Sequence, residues 1–197
     1  MAPTLEQLEQ ILPQTQCRQC GFDGCANYAA ALLRGEAKIN RCAPGGKKTI
    51  ARLAAALSVE PIALDPDYGR EMPFAIARIR PDQCIGCRIC AQVCPVAAVT
   101  GLPKHLFSVI DSDCTGCALC IPACPMDCID LFEPGREWTL EDARRARRAH
   151  RLVLLRKEKE QAQLRAQAEK ASLSKKSLIA DVMSLARAKS EKTHEPK

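Results

Sequence analysis

Two four-cysteine runs of identical spacing, 30 residues apart, constrain this chain more than any other feature. Cys84-Ile-Gly-Cys87-Arg-Ile-Cys90-Ala-Gln-Val-Cys94-Pro95 is matched by Cys114-Thr-Gly-Cys117-Ala-Leu-Cys120-Ile-Pro-Ala-Cys124-Pro125. A duplicated unit folds as two copies of one local structure, so residues 74–134 are read as an internally repeated domain. Each run follows a short β-type segment, 74–79 and 106–110. Residues 99–100 and 106–110 flank a Gly-Leu-Pro-Lys-His turn and predict a hairpin. Residues 74–79 are expected to pair with 129–132.

Composition says why the cysteines matter. The 197 residues include one Trp, two Tyr and four Phe, so little bulky apolar material exists for a deep core. Small domains in that position need staples, either disulfides or metals. Residues 1–10 lack the basic and apolar regions of a secretory signal. The longest nearly apolar stretch, 25–33, falls well short of the roughly 20 residues that cross a bilayer. A cytoplasmic setting follows as the expectation, with membrane contact peripheral at most, on the inner face of the cell membrane. There cysteines bind metals more often than each other.

The run C-x2-C-x2-C-x3-C-P is the spacing of bacterial ferredoxins. Three thiolates two residues apart wrap one side of a [4Fe–4S] cube in a tight loop, and the fourth must arrive from elsewhere. In two-cluster ferredoxins it comes from the other copy. One cluster is therefore assigned to Cys84, Cys87, Cys90 and Cys124, the other to Cys94, Cys114, Cys117 and Cys120. Pro95 and Pro125 turn the chain after the last cysteine, and Gly86 and Gly116 let the backbone close to the cube. Zinc sites join two separated C-x2-C pairs, which these runs fit poorly.

Residues 1–60 read as a small helical domain with a third site. Thr4 and Gln7 form a capping-box pattern, Leu5, Leu8, Ile11 and Leu12 share a face, and Pro13 stops the helix. Cys17, Cys20, Cys25 and Cys42 follow in C-x2-C-x4-C-x16-C spacing. Four cysteines so close imply one metal site with four thiolates, iron–sulfur or zinc. Cys25 opens a helix of residues 24–34 that Gly35 can cap, and a further helix runs through Ile50, Leu53, Ala54 and Leu57.

This layout resembles the B subunit of the Rnf (also called Rsx) ion-translocating oxidoreductase complex. That family has a C-x2-C-G-x3-C…I-N-x-C-x-P-G-G cluster domain followed by a tandem ferredoxin domain, and residues 5–133 fit it in order and spacing. The resemblance implies that Cys17, Cys20, Cys25 and Cys42 hold a [4Fe–4S] cluster, three clusters in all. It also implies transfer of low-potential electrons with membrane subunits of that complex. Two features depart from the pattern. Family members begin with an apolar membrane helix, whereas this chain opens on the pre-cluster helix, and the long basic tail is additional. A free ferredoxin serving another reductase, or a redox-sensing protein with a docking tail, would share the same cysteines.

The rest of the chain adds organisation but no catalytic group. Residues 61–73, with three prolines, read as a linker. Residues 135–197 read as a basic helical tail, partly disordered, capped by Thr139 and Asp142. From Thr139 onward 16 Lys and Arg face 8 Asp and Glu, a net of +8, so residues 1–138 carry −2 of the chain's +6. Arg144, Arg145, Arg147, Arg148 and Arg151 are read as a solvated face or a docking arm. Nucleic acid is not the expected partner, because aromatic residues that would stack bases are absent from this segment. His105, His150 and His194 stand without ligand partners, Glu6, Glu9 and Glu36 read as surface charges, and Cys128 as a small buried residue. No Walker A or G-x-G-x-x-G run marks a nucleotide site. The fold class expected is α+β: the helical cluster domain, the tandem 2[4Fe–4S] ferredoxin domain, then the tail.

Overall fold

The computed structural model describes residues 3–192. Three helices open the chain: α1 (Leu5–Ile11), α2 (Cys25–Leu33) and α3 (Gly46–Leu57). The capping box of α1 is complete, with Thr4 N–H donating to Gln7 Oε1 at 2.7 Å and Gln7 N–H to Thr4 Oγ1 at 3.2 Å. Its buried face is Leu8 and Leu12, while Leu5 is 42% exposed and lies off it. Helix α2 ends in a Schellman turn: Gly35 takes φ +71°, and the N–H groups of Gly35 and Glu36 reach the Leu32 and Ala31 carbonyls. Leu8, Leu12, Tyr28, Leu32, Ile50 and Leu53 close one apolar core.

The repeat builds two short antiparallel pairs. Strand β1 (Ile76–Ile79) pairs with β4 (Ile129–Phe132), Ile76 opposite Phe132 and Ile79 opposite Ile129. Strand β2 (Val99–Gly101) pairs with β3 (Phe107–Val109), Val99 opposite Val109. A short helix, α4 (Ile89–Val93), sits between β1 and β2. The 30-residue repeat is written into the backbone. Gly86 and Gly116, Arg88 and Ala118, and Ala97 and Asp127 all have positive φ at equivalent positions. The two glycines also make room for a neighbouring backbone segment. A Cβ on Gly86 would stand 2.6 Å from the His105 carbonyl oxygen, and one on Gly116 2.2 Å from that of Ala75. Each glycine lets another backbone segment approach its cysteine loop.

Helix α5 (Leu140–Lys192) is capped as read, with Thr139 N–H donating to Asp142 Oδ2 at 3.0 Å and Asp142 N–H to Thr139 Oγ1 at 3.1 Å. Burial pushes the Asp142 carboxyl up, but hydrogen bonds from Thr139, Arg136 and Arg145 outweigh it and hold the pKa at about 2. A depressed carboxylate stabilises the fold above its unfolded pKa of about 4 and loses that contribution as pH falls toward 2.

The first turns of α5 are not solvated. Ala143, Ala146 and Val153 are buried, and Arg147 pairs with Glu9 at 2.7 Å. Arg145 donates to the Ser112 carbonyl at 2.7 Å, and only Arg144, Arg148 and Arg151 of the arginine run are exposed. Compact structure divides after Val153, and side chains 154–176 are all exposed. Truncation after Val153 is therefore expected to leave the thermal midpoint unchanged. Truncation after Trp138 removes the buried alanines, Val153 and the Glu9 pair, and should cost about 2 kcal/mol or more. Equal midpoints for the two truncations, measured by calorimetry, would refute this.

Candidate metal centres

Three pockets are lined by cysteines, two of them by four and the third by five. The first is built by the loops around α2 and contains Cys17, Cys20, Cys25 and Cys42, with Leu12, Thr15 and Tyr28. Gln14, Gln16 and Arg18 alternate in the left-handed region, at φ +59°, +57° and +63°, which curls the approach to Cys17. Gly24 offers no capping side chain, and Gln16 supplies one from a distance: its Oε1 accepts from the Cys25 N–H at 3.0 Å. Gln16 Nε2 in turn donates to Gln14 Oε1 at 2.9 Å, and both glutamines are buried. Tyr28 fixes the far side, donating its hydroxyl to the Lys38 carbonyl at 2.7 Å and accepting from the Arg41 N–H at 3.3 Å. That brings the loop bearing Cys42 against α2. Sequence reasoning missed Gln14 and Gln16, because glutamines in a loop read as surface residues.

In the repeat, each run lends its last cysteine to the other. Cys84, Cys87, Cys90 and Cys124 line one pocket with Ile79 and Phe107. Cys94, Cys114, Cys117 and Cys120 line another with Val96, Val99 and Thr115. Backbone amides aim at sulfur here: Ala98 N–H reaches Cys94 Sγ at 3.2 Å and Ala77 N–H reaches Cys114 Sγ at 3.4 Å. Strand β1 thus serves the second run while sitting beside the first.

Cys128 is buried, and its sulfur lies 3.4 Å from that of Cys124 on the wall of the Cys84 pocket. Burial pushes the Cys124 thiol up, but hydrogen bonds from the Cys128 backbone and thiol, and from the Met126 and Asp127 N–H groups, bring it below the usual range. Burial, with Cys124 as neighbour, pushes Cys128 up to about 12. The hydrogen bonds around the pair thus favour a thiolate at Cys124 over one at Cys128.

The donor set fits an iron–sulfur group. Burial pushes Cys25 and Cys120 up to about 12 and Cys117 up to about 11, and crowding with other thiols adds to it. Four such thiols ionise together only around a cationic metal core, and binding releases their protons. Among the described residues no three ligating side chains converge closely enough for a single metal ion. The sulfurs stand around the pocket walls.

Other candidates resolve differently from their sequence reading. His150 is half-buried, with Nδ1 2.8 Å from the Pro95 carbonyl oxygen. Glu9 is half-buried against Arg147, whereas Glu36 stays on the surface, paired with Arg34 at 2.7 Å. Trp138, outside any motif, donates its indole N–H to the Pro13 carbonyl at 2.8 Å and packs tilted against Phe74, ring centroids 4.9 Å apart. His194 lies outside the described residues.

Comparison with known proteins agrees with this chemistry. A family model for the 4Fe-4S dicluster domain matches residues 77–131, and one for an Fe-S cluster segment matches residues 12–44. The B subunit of the ion-translocating oxidoreductase complex of Stutzerimonas stutzeri is 54% identical over 133 residues, 68% of this chain and 69% of that protein. The protein of the same name from Hahella chejuensis is 52% identical over 129 residues, 66% of this chain and 65% of its own. That of Thiobacillus denitrificans is 48% identical over 108 residues, and there the match spans 55% of this chain and 57% of the relative. Among the described residues no helix is long and apolar enough to cross a membrane. The chain carries a 4Fe-4S dicluster domain behind a second cysteine segment, and it belongs to the family of B subunits of the ion-translocating oxidoreductase complex.

Proposed function

We propose that this chain is a three-cluster electron carrier working as the B subunit of an Rnf-type complex. One [4Fe–4S] cluster is held by Cys17, Cys20, Cys25 and Cys42, a second by Cys84, Cys87, Cys90 and Cys124, and a third by Cys94, Cys114, Cys117 and Cys120. The observation that carries this is that each set of four cysteines has a pocket of its own. When bound, the clusters supply reversible one-electron storage at low potential.

The chain's own part is enclosure, orientation and access. Valines and alanines keep water from the sulfurs of the Cys94 pocket, and the amides of Ala77 and Ala98 hydrogen-bond to sulfur, which favours the reduced, more negative state. Cys87 is the exposed cysteine, with Ile85 and Met126 exposed beside it, so the Cys84 site is the one open to a partner protein. The partners are membrane subunits of the complex, and the chain works at the inner face of the cell membrane without a span in its described residues.

Cluster content tests the reading. Protein isolated anaerobically should contain about twelve iron and twelve sulfide per chain, from three four-iron cubes. Metal and sulfide analysis giving about eight iron with one zinc would overturn it and make the N-terminal site structural.

A further inference from the structure

Two contacts join the N-terminal cysteine pocket to a ferredoxin pocket, and both lead to the one holding Cys94. The first is a buried hydrogen bond. Thr115, 2% exposed and next to Cys114, donates its hydroxyl to the Thr15 carbonyl at 2.9 Å. Thr15 lines the N-terminal pocket and Thr115 lines the Cys94 pocket. Cys117 lines the same pocket as Thr115. A short path therefore runs from Cys17 through Gln16 and the Thr15 carbonyl to Thr115 and its neighbouring sulfurs.

The second contact is His150. The Pro95 carbonyl can only accept, so the imidazole carries its proton on Nδ1 and donates it across 2.8 Å. On its other side, Nε2 comes within 3.9 Å of where a Cβ on Gly24 would stand. Pro95 follows Cys94, and Gly24 precedes Cys25 on the wall of the N-terminal pocket. The ring is thus wedged between the run that ends at Cys94 and the loop that enters α2. Trp138 on Pro13 and Arg147 on Glu9 pin the start of α5, and with it His150, to the N-terminal helices.

We propose that Thr115 and His150 are positioning residues for electron transfer, seating the N-terminal site against the Cys94, Cys114, Cys117 and Cys120 site. The relay then has a fixed order: N-terminal site, Cys94 site, Cys84 site. This rests on the three-cluster reading above. Each step moves one electron from a reduced site to its oxidised neighbour, with no bond made or broken. A one-electron redox protein serves each end, and the exposed edge at Cys87 is the terminus on the ferredoxin side.

The test uses the full chain, loaded anaerobically and reduced with dithionite. Iron is counted first, and a count far from twelve refutes the three-cluster reading itself. With three clusters present, spin–spin broadening of the N-terminal EPR signal should disappear in Cys94→Ser and persist in Cys124→Ser. The reverse result overturns the order. Thr115→Val, which keeps the side chain's shape without its hydroxyl, should retain all its iron but slow electron equilibration between the N-terminal and ferredoxin sites severalfold after a photoreduction flash. Thr115→Ser should restore the rate. If Thr115→Val loses iron, His150→Leu supplies the same measurement away from any cysteine loop. A wild-type equilibration rate in the iron-replete variant would overturn the positioning role.

Discussion

Replacing Cys124 with serine is expected to remove the iron held with Cys84, Cys87 and Cys90 while leaving the Cys114 site filled. Cys94→Ser should do the opposite. Each variant loses about four of twelve irons, and EPR of the reduced proteins identifies which signal has gone. The argument is geometric. Cys124 lines the pocket of the first run and Cys94 that of the second: β4, which follows Cys124, pairs with β1 ahead of Cys84, and β2, which follows Cys94, pairs with β3 ahead of Cys114. Loss of the signal from the variant's own run would refute crossed ligation. Cys128→Ala should leave the iron count unchanged, since Cys84, Cys87, Cys90 and Cys124 already make a four-thiolate set and Cys128 is a small buried residue beside it. If Cys124→Ser kept twelve irons and lost four only when Cys128 was removed as well, Cys128 would be a ligand.

Much of the centre was legible because its signals are local. The repeat offset, the trailing prolines and the β-type runs each concern residues within one turn or one hairpin of each other. They led to β1 with β4 and to β2 with β3, and the capping boxes of α1 and α5 read equally well. What the sequence hid lies in contacts between residues far apart along the chain. Trp138 reaches Pro13 and Arg147 reaches Glu9, over 125 and 138 residues. Neither pairing leaves a periodicity. The arginine run looked uniformly solvated because its charge is uniform, yet packing against Glu9 and Ser112 selects Arg147 and Arg145 from it. Gln14 and Gln16 were invisible for a related reason. A buried carboxamide that caps a distant helix has the same composition as one in water, and only the fold says where its hydrogen bonds go.

Stripping the iron is expected to unfold the ferredoxin region while much of the N-terminal helical core survives. Five of the thirteen residues in the buried ferredoxin cluster are cysteines, and only Ile76, Val96, Val99, Phe107 and Ile129 are large apolar groups. Its sheets are two-stranded, four and three residue pairs long. A two-stranded pair alone is at best marginally stable in water. Two amide bonds in the cluster end on cysteine sulfur, so losing the metal frees those ends of the network as well. Binding free energy at such a site is folding free energy. The N-terminal core has one cysteine among its ten buried residues and relies on Leu8, Leu12, Tyr28, Leu32, Ile50 and Leu53. Each such side chain contributes roughly 1.5–3 kcal/mol on burial, whether or not iron is bound. Anaerobic chelation followed by hydrogen exchange separates the two regions. Protection at Ala77, Ala98 and Ile110 should vanish, while amides of α3 around Leu53 keep a measurable part of theirs. An apo-protein with the same single cooperative thermal transition as the loaded form would show that the polypeptide, not its metal, holds the ferredoxin region together.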